Sequence, residues 1–80
     1  MRVAIEHDAL LLAAESHALD TAQKSLDLTR ESYRAGNVGV LQVVDAERLC
    51  QRTRLEYVRA ETQRYVDTAQ LYLALGGAEP

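Results

Sequence analysis

The run Tyr33-Arg34-Ala35-Gly36-Asn37-Val38-Gly39-Val40-Leu41-Gln42 divides the chain into two long segments of helical pattern. Gly36 suits a helix stop, because a residue without a Cβ enters left-handed backbone at little steric cost and is the common C-terminal cap. Three residues separate it from Val40. A connection this short makes the flanking helices antiparallel neighbours, with Gly36 and Gly39 as the turn residues. The remaining glycines, Gly76 and Gly77, stand near the end and Pro80 closes the chain, so no strong helix breaker interrupts either segment.

Outward from the turn, the N-terminal segment places Ile5, Leu12, Leu19, Leu26 and Tyr33 at intervals of seven, a repeat that a helix lays along one slowly drifting stripe. The adjacent heptad line, Ala4, Leu11, Ala18 and Ser25, is also small or apolar. Two adjacent seams imply two neighbours. The C-terminal segment carries Val44, Val58, Tyr65 and Tyr72 on one line, interrupted by Gln51. Beside it run the mostly small residues Ala46, Thr53, Ala60, Asp67 and Ala74, which would let another helix backbone approach closely. The pattern predicts an all-α fold, an antiparallel two-helix coiled-coil hairpin with helices over about 3–35 and 40–75, each roughly 50 Å long at 1.5 Å per residue. No strand pattern and no internal repeat is visible, and residues 1–80 read as one hairpin.

Composition narrows the function. Eighty residues make a self-sufficient core doubtful, so an isolated chain is expected to self-associate. Nine Lys and Arg against twelve Asp and Glu leave a net charge of −3, and no basic run is present that could track a phosphate backbone, which argues against nucleic acid as a partner. Four tyrosines without Trp or Phe leave the apolar burden to Leu, Val and Ala, favouring close helix packing. The longest apolar run, Ala9 to Ala14, falls far short of the roughly 20 residues of a membrane-spanning helix. Acids at Glu6 and Asp8 stand where a secretory signal would be apolar, so an exported parent is expected to carry its signal elsewhere.

No catalytic constellation emerges. His7 and His17 lie off a common helix face with no third ligand to complete a metal site, and Cys50, the single cysteine, reads as a small buried residue. Gly36 and Gly39 fall short of a phosphate-cradling loop. The expectation is a protein that is not an enzyme and holds no cofactor or metal.

Tyr33-Arg34-Ala35-Gly36, four residues, then Leu41-Gln42-Val43-Val44-Asp45-Ala46-Glu47-Arg48 resembles the signature of the TolC family of outer-membrane efflux channels. Leu71-Tyr72-Leu73-Ala74-Leu75-Gly76-Gly77 is similar to the family's ending of the following helix, and the stretch Ala18 to Leu28 shares its alanine-rich, leucine-punctuated character. The resemblance thus covers nearly the whole chain.

The resemblance implies a fragment of an α-helical barrel: the periplasmic tunnel of a homotrimeric channel in the outer membrane, serving efflux or type I secretion with a periplasmic adaptor protein and an inner-membrane pump. The turn would lie on the periplasmic side, at the channel entrance. Carried over by position, Leu41 would sit at an apolar pore constriction, Asp45 would join its trimer mates in a ring of carboxylates, and Tyr33 and Arg34 would brace the closed entrance. The chain departs from one branch of the family at Gln42, where that branch has an acid, and at Val38, where it has a charge, so a second acidic ring and one tie of the closed state are absent. Ala78-Glu79-Pro80 departs from the common ending, which suggests truncation or divergence past the hairpin. The residues alone leave plainer roles open: Asp45 and Arg48 as a helix-surface ion pair, Leu41 as a core leucine, Tyr33 as the last core residue of its helix. They also leave open a free-standing hairpin that pairs into a four-helix bundle as an interaction module, or the helical hairpin of the adaptor itself.

Overall fold

A computed structural model describes residues 4–76. Helix α1 spans Ala4–Arg34 and helix α2 spans Val40–Ala74, each within a residue of the pattern's boundaries, and they lie antiparallel against each other. Expectations for Val3 and for the Gly77 to Pro80 end fall outside the described residues. The described hairpin measures 63 × 24 × 15 Å, one helix pair thick. None of its helices is long and apolar enough to cross a membrane.

The shielded stripe of α1 runs through Ile5, Asp8, Leu12, Glu15, Leu19, Ala22, Leu26 and Thr29, alternating three and four residues apart. This is the spacing that keeps one face of an α-helix turned to a single antiparallel neighbour, and it contains the Ile5-to-Leu26 line read from the sequence. The tightest packing joins Ala22, Leu26 and Cys50, with Leu19 and Ala46 partly buried against them. Cys50 is therefore the small buried residue its composition suggested, with its thiol 3.4 Å from Gln23 Oε1.

For α2 the structure corrects the emphasis of the pattern. The face turned to α1 is Val43, Ala46, Cys50, Thr53, Tyr57, Ala60 and Asp67, which includes the line of small residues. Val58, Tyr65 and Tyr72, the more apolar line, are exposed. Small side chains let two helix axes approach closely, and Tyr57, the one tyrosine on this face, is only half-buried. Cys50 and Ala60, at 2% and 4% exposure, meet that demand on α2.

Candidate functional site: the hairpin tip and its uncovered seams

Helix α1 ends in a two-bond cap. Gly36 has φ +81; its N–H donates to the Tyr33 carbonyl and the Asn37 N–H to the Ser32 carbonyl, both at 2.9 Å. These are the paired bonds that close a helix around a left-handed glycine and satisfy carbonyls the helix leaves free. Helix α2 starts differently. Gly39, at φ −89 and ψ 172, is extended and makes no side-chain cap of its own. Gln42 supplies the bond instead: its Oε1 accepts from the Gly39 N–H at 3.0 Å, while the Gln42 N–H donates to the Gly39 carbonyl at 3.2 Å. Gln42, which the sequence marks only as a missing acid, is a capping residue. The signal was present, since a Gln three residues after a helix-start position is half of a capping box.

The first turns of α2 present Leu41 and Asp45 one helical turn apart on one face. Leu41 is 72% exposed, so it is not a core leucine of this hairpin. Asp45 lines an open groove whose α1 wall is Ser25, Leu28, Thr29 and Ser32 and whose floor near the turn is Val38 and Gln42. Among the described residues Asp45 takes part in none of the ion pairs; the pairing with Arg48 does not form.

Among the described residues no hydrogen bond or ion pair joins Tyr33 or Arg34 to Leu41 or Asp45. Tyr33 ends the α1 stripe half-exposed, and the Arg34 guanidinium pairs with Glu31 on its own helix at 2.8 Å. The tie between the helices near the tip is Arg30 to Glu47, at 3.1 Å and partly shielded. Both carry charge at seam-edge positions, where a long side chain reaches across the join while its head stays near water.

Each helix keeps a second face uncovered. On α1, Leu11, Ala14, Ala18, Thr21, Ser25 and Leu28 repeat the three-and-four spacing, are exposed, and include no charge. On α2 the corresponding outer face carries Leu55, Val58, Tyr65 and Tyr72, all exposed, and is interrupted toward the turn by Gln51. Contiguous apolar stripes of this length on a monomer mark surfaces that pack against something else.

A capped two-helix coiled coil with one filled seam and an open apolar seam on each helix belongs to a class of proteins whose hairpins pack into larger helical assemblies. Comparison with known proteins narrows the class. The profile of the Outer membrane efflux protein family matches residues 3–77. Cation efflux system protein CusC of Escherichia coli, in strain K12 and in O157:H7, is 36% identical over 66 residues, covering 82% of this chain. The matched region is 14% of that relative's length, so the chain spans about a seventh of it. No solved structure matches the chain. The chain belongs to the outer membrane efflux protein family, a family of channel proteins and not of enzymes.

Proposed function

We propose that the hairpin forms the periplasmic entrance and adaptor-docking tip of a trimeric outer-membrane channel for efflux or type I secretion. The observation that carries this reading is the pair of uncovered seams: α1 and α2 each keep an apolar face free after packing on the other, as adjoining pieces of a closed helical wall must. Family membership supplies the setting. Three copies, with the companion helices of the parent, would cover both seams.

In this assembly the exposed Leu41 and Asp45 face the pore, Leu41 as an apolar constriction and Asp45 as one of three carboxylates in a ring. Such a ring draws cations toward the pore. The relative's name ties it to a cation efflux system, and an acidic entrance suits cargo of that charge. Opening requires two packings of similar energy. The two-bond cap at Gly36 lets the helices move as a joined pair, and the half-exposed Tyr33 and Arg34, which pairs only on its own helix, are available to brace neighbouring copies in the closed state. The energy for opening comes from an inner-membrane pump acting through a periplasmic adaptor, whose contact is the turn.

The pore assignment is tested with Asp45→Ala in the intact channel. Single-channel recordings should show a reduced preference for cations over anions; unchanged selectivity would remove Asp45 from the pore.

A further inference from the structure

At the end of the hairpin opposite the turn, an acid occupies the seam on each helix. Asp8 of α1 is only 3% exposed, and its Oδ2 is buried without a hydrogen-bond partner. Across the seam, Asp67 on α2 is the group that acts most strongly on its carboxyl, and Asp67 is itself partly shielded. Gln63 holds Asp67 in place, with Nε2 donating to Asp67 Oδ1 at 2.9 Å. A buried oxygen without a donor is costly, and two facing carboxylates repel. The repulsion is relieved if one carboxyl carries a proton, because its O–H can then donate to the other.

We propose that Asp8 and Asp67 form a proton-operated latch, which closes the open end of the hairpin when they share a proton and loosens it when both are charged. The other charged groups facing Asp8 are His7 on α1 and Arg64 on α2, and both favour its ionised form. They do not prevail. The hydrogen bond with Asp67 comes first among the influences on Asp8, then removal from water, then the Asp67 charge, and together they hold its carboxyl above the ordinary carboxylate range.

The direction of the pH effect follows. The folded chain keeps this proton at pH values where the unfolded chain has released it, so the folded state binds more protons there. The stability contributed by the latch is complete below the ordinary carboxyl pKa and is lost as pH rises through the raised one. The end of the hairpin therefore tightens in acid, opposite to the trend of a carboxylate held by a salt bridge.

Hydrogen exchange on the protein expressed from its own gene tests this, with rates corrected for intrinsic pH dependence. Amides flanking Asp8 and Asp67 should lose protection severalfold between about pH 4 and about pH 7, while amides around Leu26 and Cys50 should not. Asp8→Asn places an amide donor opposite Asp67 at every pH, so its hairpin end should stay protected throughout. Asp67→Asn should behave alike and serves if the first variant folds poorly. A wild-type end with pH-independent protection, or a pH dependence that survives both substitutions, would overturn the latch.

Discussion

Gly36 and Gly39 share one turn but answer to different demands. Gly36 sits at φ +81 with nothing near the position of a Cβ, so alanine there meets backbone strain and no clash. Left-handed backbone costs a non-glycine residue about 1 kcal/mol or somewhat more, and Gly36→Ala should lower stability by about that amount in urea unfolding. Gly39 is extended, and an added Cβ would meet only the end of the Gln42 side chain, at 3.3 Å. Gly39→Ala should therefore cost clearly less; equal losses would contradict the two cap geometries. The first glycine was legible in the sequence because few residues other than glycine end a helix this way. The second was legible only as part of a turn, since extended backbone suits any residue. Two residues at this scale were not legible in their structural roles. Gln42 occupies a position that the family resemblance marks by an absent acid, and Asp8 lies on no apolar heptad line although it alternates with Ile5 and Leu12 on the same stripe.

At the scale of the element, periodicity located both helices to within a residue and identified the α1 stripe, because a seven-residue repeat on an uninterrupted segment has few alternatives. It did not tell which α2 line faces the covalent partner. Val58, Tyr65 and Tyr72 outrank Ala46, Thr53 and Ala60 in apolar character, yet the small line is the one buried. A helix that packs on both sides carries two lines, and the closer contact goes to the smaller residues, a choice set by interaxial distance and not by hydrophobicity. Three substitutions distinguish the seams. Leu26→Ala removes a nearly buried side chain from the filled seam and should cost about 2–3 kcal/mol. Leu28→Ala, on the 70% exposed outer face, should change the hairpin's own stability by less than about 0.5 kcal/mol and instead weaken association between copies. Ala60→Leu should overpack the α1–α2 seam at a cost of about 1–3 kcal/mol. Thermal or urea melts of each variant, paired with sedimentation, read both effects.

At the scale of the whole molecule, a hairpin 24 × 15 Å in cross-section has room for one seam of core and leaves two more facing water. Family membership was legible because the turn motif, the helix ending and the alanine-rich stretch from Ala18 to Leu28 are spread over nearly the whole chain, and the match over residues 3–77 bears out that resemblance. The pore roles of Leu41 and Asp45 were not legible from periodicity, because a pore-facing residue and a solvent-facing one look alike until the neighbouring copies are in place. Open seams carry a consequence for the isolated chain: it should self-associate, so its sedimentation coefficient should rise with concentration. A monomer over a wide concentration range would mean that these faces are not packing surfaces.

The most direct test of membership in a channel wall is cross-linking of intact source cells, followed by fractionation and an antibody raised against the Tyr33 to Arg48 segment. The expected result is a signal in the outer-membrane fraction, carried by a protein several times larger than 8.9 kDa, with a cross-linked ladder that stops at three subunits. A soluble species at the mass of the hairpin, or a ladder that stops at two, would contradict it and leave a free-standing bundle in its place.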